Sequence, residues 1–487
     1  MKNKLFRNVF FNYIYEIFII IIPLITTPYI SRVLRAEGVG IYSYTTSLVT
    51  YFCTFSVLGL AGYGLREIAF YRDDKRKTSQ LFWEIYLIKV VITVFFIIGW
   101  LVFCNFYHEY TPYMIAITPL LIANIFDISW FFKGLEKFNY PVLVNVLAKA
   151  LSMICIFVFV KNSTDLTKYI LIIALSTFFG NVFMWFFLPK NISKTKIDIR
   201  SFPKHLKHSF VYFLPSLALV VYSVLDKTLI GLITRDFVQN GYYEQAHKIV
   251  NMLLVLCCGA LNGVLNSRFS YLYGSGVTQN EIKRRLIQGL NLSLSLSIGC
   301  MFGIIAVSKT FVPLFFGEDF TNSIPLFLIF SPLPFICSFS NCLSSNYYTP
   351  SGRRKESSFY YMLAALTNLV LNLALIPFFG AIGAALSTIV SEFIISLVLI
   401  LRSKGILTIK ECLKIISKKM IAGLFMFAVV FFVSNYIETS SIRTLFCLVV
   451  VGASLYFIIL GILNDDSFGV IVEMRKKKTN TSNKERE

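Results

Sequence analysis

Eight charged side chains sit inside long apolar runs of this 487-residue chain: Glu16, Glu84, Lys89, Asp127, Lys149, Asp226, Lys227 and Glu392. Each would cost about 2.5–3.5 kcal/mol at the centre of a bilayer on insertion scales, so each needs a reason to be there. One reason is a hydrated cavity that meets a charged substrate or a coupling ion. The other is pairing between helices, or a long side chain reaching the helix end. Glu84, three residues into its run, fits the second reason. Lys149 and Glu392 lie near mid-run and fit the first. Asp226 and Lys227 are adjacent, and adjacent residues point to different faces of a helix, so they do not simply neutralise each other. For that pair both readings stand.

A second group is Arg32 and Arg35, just past the first apolar run, with Arg66 just past the second. Arginine offers a planar fork of donors that matches phosphate oxygens better than a point charge does. The alternative is an ordinary interfacial arginine. The segment holding Arg32 and Arg35 is otherwise poor in basic residues, which argues mildly for the phosphate reading.

Other chemistries find no support. No GxxxxGK[ST] segment cradles a nucleotide phosphate, and neither GxSxG nor HExxH occurs. The ten cysteines show no CxxC spacing and lie mostly in apolar runs, and the four histidines do not cluster with them. Neither a metal centre nor a disulfide framework is expected. Asp73-Asp74 and Asp465-Asp466 are acidic pairs in short loops and read as solvated charge. An enzyme is not expected, and no cofactor beyond a coupling proton or sodium ion.

The elements that must position these residues are membrane helices. Hydrophobic residues make up 56% of the chain and charged residues only 15%, with a mean hydropathy of +0.69. A soluble domain carries about 25% charged residues, because it needs a solvated skin. Spanning runs of about twenty residues fall at about 9–30, 41–63, 81–103, 113–132, 141–160, 169–188, 210–233, 246–265, 286–307, 323–343, 359–377, 381–401, 420–435 and 445–462. The first run is a retained helix and not a cleaved signal peptide. With both termini inside, 35 Lys+Arg fall in inner segments and eight in outer ones, Lys248 being counted outside at the edge of its run. That bias sets the orientation. The formal charge of +20 is therefore loop charge, and no nucleic-acid partner is expected.

The halves echo each other. Ala174-Leu175-Ser176-Thr177 in the sixth run recurs as Ala385-Leu386-Ser387-Thr388 in the twelfth. Gly40-Ile41-Tyr42 opening the second run is matched by Gly241-Tyr242-Tyr243 opening the eighth. The expectation is an all-α polytopic membrane protein of about fourteen transmembrane helices. Two six-helix lobes, 1–188 and 210–401, form a parallel pseudo-repeat joined by a basic linker at 189–209. Two extra helices follow at 402–462, then a basic tail at 463–487. Paired repeats with a midplane site are a common transporter plan. Pro325, Pro332 and Pro334 in the tenth run predict a bend.

Several blocks, in order, resemble bacterial polysaccharide repeat-unit flippases of the Wzx type. They are Pro23-Leu24-Ile25-Thr26-Thr27-Pro28-Tyr29-Ile30-Ser31-Arg32-Val33-Leu34, then Glu37-Gly38-Val39-Gly40-Ile41-Tyr42, and Asn124-Ile125-Phe126-Asp127-Ile128-Ser129-Trp130-Phe131-Phe132. Val224-Leu225-Asp226-Lys227-Thr228-Leu229-Ile230-Gly231 and Asn368-Leu369-Val370-Leu371-Asn372 follow. Two departures stand out. Arg35 occupies a place where the family usually reads glycine, and Tyr347-Tyr348-Thr349-Pro350 replaces a block that often contains glutamine.

The resemblance implies a member of the multidrug/oligosaccharidyl-lipid/polysaccharide exporter superfamily, with two lobes that alternate access across the bacterial cytoplasmic membrane. It implies an undecaprenyl-diphosphate-linked oligosaccharide as substrate, for O-antigen or capsule assembly. Membrane lipid, a polysaccharide polymerase and a chain-length regulator would be partners. On that footing Arg32, Arg35, Lys149 and Lys227 are expected to capture the head group, and Asp127, Asp226 and Glu392 to couple an ion. Competing expectations are a lipid II or teichoic-acid precursor flippase, a cation-coupled drug exporter, and a membrane polymerase or glycosyltransferase. The absence of any long outer loop speaks against the last.

Overall fold

The computed structural model describes residues 2–106, 110–189, 192, 195, 197–259, 269–436 and 441–467, with the side chains of 2–17, 19, 20, 435 and 436 left out. The Glu16 side chain, His108, the eighth run beyond residue 259, parts of the 189–209 linker and the tail from 468 lie outside what is described.

Among the described residues the regular elements are helices: α1 (Lys2–Val57), α2 (Leu60–Phe70), α3 (Lys75–Cys104), α4 (Thr111–Phe126), α5 (Ser129–Gly134), α6 (Asn139–Phe159), α7 (Leu166–Met184), α8 (Phe202–Thr234) and α9 (Phe237–Leu254). Further on come α10 (Gln279–Phe316), α11 (Ile324–Phe330), α12 (Leu333–Leu343), α13 (Arg354–Leu401), α14 (Ile409–Tyr436) and α15 (Ile442–Ile462). Nine described helices are long and apolar enough to cross a membrane, or eleven when each bent pair counts as one span. Their outward positions are apolar too. Val91, Phe95 and Ile98 on α3, Leu151, Ile154 and Val158 on α6, and Phe446, Val450 and Ile458 on α15 are all exposed. A helix apolar on its exposed face as well as its packed one belongs in hydrocarbon. The chain is a multi-pass, all-helical membrane protein.

The predicted runs map onto fewer, longer helices because two helices break without a loop. α1 breaks at Arg35 (φ 58°, ψ −177°) and carries the first run and most of the second, which ends in α2. α13 breaks at Gly380 (φ 54°, ψ −130°) and carries the eleventh and twelfth. The tenth run bends by 42° between α11 and α12. Pro325 and Pro334 sit in the first turns of those two helices, where a missing N–H costs little, and Pro332 stands at the break itself.

Contacts divide the chain into two compact units, Met1–Gly241 and Tyr242–Glu487. The core of the first gathers Phe82, Ile85 and Ile88 of α3, Leu60 and Tyr63 of α2, and Trp130, Phe131 and Phe132 of α5. Phe82 is its hub, with ring centroids 4.8 Å from Phe131 and 5.9 Å from Trp130. The sequence places the lobe boundary in 189–209, yet α8 packs on α1, α2 and α3. Glycines allow this. A Cβ on Gly59 would stand 2.4 Å from the Ser209 carbonyl oxygen, and one on Gly231 2.3 Å from the Tyr44 ring. α8 therefore lies deep in the first unit, and the division falls seven residues past its end, at Gly241.

In the second unit α10 presents Leu286, Leu290, Leu294 and Ile298, one residue per turn, to a core completed by Phe339, Leu343, Met426, Val430 and Tyr456. Gly423 admits the Phe302 ring, since a Cβ there would meet it at 2.2 Å.

Candidate functional site

Asp127 sits where the fourth run breaks. α4 ends at Phe126, Asp127 is extended (φ −70°, ψ 108°), and its Oδ1 accepts the Ser129 N–H at 2.9 Å. Such a break leaves carbonyls at the end of α4 in need of donors. Asn181 Nδ2 donates to Ala123 O at 2.9 Å, Trp185 Nε1 donates to Phe126 O at 2.9 Å, and the Lys89 ammonium donates to Asp127 O. Lys89 is fully buried, and it stands at the negative end of α4, where a cation is favoured. Asn124 Nδ2 extends the network to α1, donating to Ser56 Oγ at 2.9 Å and to Cys53 O at 3.2 Å. Asp127 thus combines a capping role with the charge of Lys89 close by. Lys89 was noted in the sequence but not expected as its partner.

A second polar cluster joins α8 to α1. Thr228 Oγ1 donates to Ser47 Oγ at 2.8 Å, and Tyr51 Oη lies 3.3 Å from Thr228 Oγ1. Asp226 is buried beside them, within electrostatic reach of Tyr51. Its neighbour Lys227 is only partly buried, and its carbonyl accepts Asn240 Nδ2 at 2.9 Å. The pair does split between faces. Lys149 is partly buried on α6, while Arg32 and Arg35 are exposed around the α1 break. The backbone of Arg35 occupies a region that only glycine enters readily, which accounts for the glycine usual there in the resembling family. Arg66 is exposed, with its Nη1 3.4 Å from Tyr212 Oη.

Glu392 belongs to the second unit. It is buried on α13, and Cys337 Sγ donates to its Oε2 at 3.2 Å. Tyr361 lies within electrostatic reach. Ser396 Oγ, one turn on, donates to Ile336 O at 2.9 Å and ties α13 to α12. The same unit holds a cavity of about 600 Å³ among α10, α11 and α14, lined by Ile305, Lys309, Leu314, Glu318, Phe427 and Phe431. None of the expected site residues lines it.

The Tyr347–Pro350 departure turns out to be a clasp. Arg353 donates to Tyr347 Oη at 2.8 Å and to the Arg402 carbonyl at 3.0 Å, and its guanidinium lies 4.8 Å from the Tyr348 ring centroid. It thereby ties the end of the tenth run to both ends of α13.

Two buried charge clusters escaped the sequence reading. Glu84 does pair structurally, as its position near a run end suggests, but through His205 of α8. The other corrects the reading of Asp465 as solvated. Asp465 is buried, and the fully buried Lys419 ammonium donates to it at 2.8 and 3.0 Å and to Asn291 Oδ1 at 2.9 Å. Burial pushes the Asp465 carboxyl up, but Lys419 and Ser467 outweigh it and hold the group below its ordinary value. The signal was faint: Lys419 borders an apolar run, and nothing in the intervening residues points to Asp465.

The family described as "Polysaccharide biosynthesis protein" matches residues 5–271. A protein of Escherichia coli (strain K12) named "Putative O-antigen transporter" is 25% identical over 405 residues, covering 81% of this chain and 95% of that protein. One of the same name from Shigella dysenteriae is 23% identical over 385 residues, 77% of this chain and 94% of its own. Among solved structures, the lipid II flippase MurJ in an inward closed conformation shares the fold at a TM-score of 0.67 and 18% identity, covering 91% of this chain and 99% of its own. An inward-facing multidrug resistance transporter of the MATE family does so at 0.61 and 13%, covering 79% and 97%. The family match takes in more than half of the sequence, with the α1, α4–α5 and α8 clusters inside it, and the chain belongs to the polysaccharide biosynthesis protein family.

Proposed function

We propose that this protein flips undecaprenyl-diphosphate-linked oligosaccharide repeat units from the inner to the outer leaflet of the bacterial cytoplasmic membrane, by alternating access, for O-antigen or capsular polysaccharide assembly. The family match carries the reading, joined to near full-length similarity to two proteins named as O-antigen transporters. The excess of Lys and Arg on one set of loops supports cytoplasmic termini.

Within this reading Arg32 and Arg35, exposed at the α1 break on the outer side, and Lys149 and Lys227, partly buried, capture the head group. Asp127, Asp226 and Glu392 are the acids that carry a coupling proton or sodium ion. The work is translocation and involves no covalent chemistry. Polymerisation must consume the product on the far side, so a polymerase and a chain-length regulator are its natural partners.

A deletion strain tests the reading. Complete lipid-linked repeat units trapped on the cytoplasmic face, with little surface polymer, are the expected result. Single repeats displayed at the surface would assign a polymerase instead. Unchanged polymer with heightened dye sensitivity would assign a drug exporter, and loss of peptidoglycan precursor export a lipid II flippase. Replacing Lys149 and Lys227 together by Ala, with full transport retained, would remove those residues from head-group capture.

A further inference from the structure

The cavity of the second unit has a polar mouth and an apolar interior. α10 and α14 run in parallel: Lys419 of α14 meets Asn291 of α10, and Gly423, one turn on, admits the Phe302 ring. Their C-terminal turns therefore share one end of the bundle, and that end of the cavity is the polar one. Lys309 and Ser434 line it there, with Glu318 in the turn that follows α10. About one turn deeper come Ile305 and Phe431, then Phe427 a further turn down α14, with Leu328 contributed by α11. The Phe427 and Phe431 ring centroids are 5.6 Å apart and form a continuous apolar wall.

The mouth offers both signs of charge. Lys309 and Glu318 are exposed, and among the described residues no ion pair joins them. Lys309 supplies donors only and an ionised Glu318 acceptors only. Ser434 Oγ gives its hydrogen to Phe431 O at 2.9 Å, so what it has left to offer is an acceptor. A ligand bearing an anion alone would be opposed by Glu318, and one bearing a cation alone by Lys309; a ligand bearing both satisfies both. The walls indicate where it comes from. Leu328 is exposed as well as lining the cavity, and Leu424, Phe425 and Phe432 of α14 are exposed beside the lining phenylalanines. The apolar part therefore borders the face that meets hydrocarbon. Its volume of about 600 Å³ is that of a small-molecule site, room for a lipid head group and the chain segments next to it.

We propose that this cavity binds a zwitterionic phospholipid with a primary ammonium head. Its phosphate lies on Lys309, its ammonium on Glu318 and Ser434, and its chains run along Ile305, Phe427 and Phe431. A quaternary ammonium has no N–H to give and is held by aromatic faces, which here lie deeper than the charges. The leaflet is the one beside the basic-poor loops, where Lys309 is the lone Lys or Arg of segment 308–322. The site is a property of the second unit and holds whichever substrate the protein moves.

The test is native mass spectrometry of the full-length purified protein with added phosphatidylethanolamine, phosphatidylglycerol or phosphatidylcholine, reading the affinity of the first lipid bound. Phosphatidylethanolamine should bind about tenfold more tightly than either of the others, the size of one charge-assisted hydrogen bond. Glu318→Gln should remove that preference, weakening phosphatidylethanolamine while leaving phosphatidylglycerol as tight or tighter. Lys309→Gln should weaken both, and Lys161→Gln, an exposed cation of the first unit, neither. Equal affinity for the three lipids, or unchanged phosphatidylethanolamine binding in Glu318→Gln, would overturn the proposal. Displacement by an equal concentration of glycerophosphoethanolamine would overturn the role of the chains. Displacement by an equal concentration of undecaprenyl diphosphate would give the cavity to a transport substrate instead.

Discussion

Gly40 and Gly241 let two backbones run in contact. A Cβ on Gly40 would stand 1.7 Å from the Phe237 carbonyl oxygen, and one on Gly241 2.0 Å from the Ala36 carbonyl oxygen. The sequence pairs these glycines as equivalent positions of a repeat. In the structure they also face each other, α1 against the start of α9. Small residues at such a crossing replace a hydrophobic driving force that hydrocarbon cannot supply.

Alanine at either position should therefore cost about 3 kcal/mol or more, because the clash is with backbone that cannot rotate away. Thermal unfolding of the purified protein measures it. Gly99→Ala is the control, since a Cβ there meets only Phe52 at 4.0 Å. Equal midpoints for the Gly40→Ala and Gly99→Ala variants would refute the close approach.

Arg35 sets backbone against side chain. Arg35→Gly should raise stability by about 1 kcal/mol, the lower end of what such a backbone costs. It should lower transport if the guanidinium meets phosphate. Arg35→Ala keeps the unfavourable backbone and loses only the guanidinium, so it should lower transport with no gain in stability. Unfolding midpoints and surface-polymer yield for the two variants separate the effects.

Lys419 and Asp465 predict an acid-labile second unit. The folded carboxyl is held below its ordinary value. Its stabilisation is therefore complete above the unfolded value of about 3.9 and is lost as pH falls through the lower folded one. Asp465→Asn should flatten the acid limb of a midpoint-against-pH profile. Lys419→Met leaves a buried anion uncompensated and should cost about 3–5 kcal/mol at neutral pH.

The transport reading carries an electrical consequence. A diphosphate moving outward takes about two negative charges with it, and at about 2.3 kcal/mol per charge per 100 mV the potential favours export by roughly 4–5 kcal/mol. Collapsing the potential at constant pH gradient should slow flipping in a vesicle assay. An unchanged rate would mean that protein charges move with the substrate.

Residue types and their order along the chain determined the membrane class, the helical runs, the bend among Pro325, Pro332 and Pro334, and the family. Those properties rest on local periodicity and on transfer of side chains into hydrocarbon. Tertiary structure decided the partners. Lys89 meets Asp127 across 38 positions, His205 meets Glu84 across 121 and Lys419 meets Asp465 across 46. No local pattern encodes such meetings, because each depends on which helix faces pack. The breaks at Arg35 and Gly380 were hidden for a related reason. A helix that breaks at one residue leaves no polar loop to read, only a backbone conformation that the packing on either side must hold.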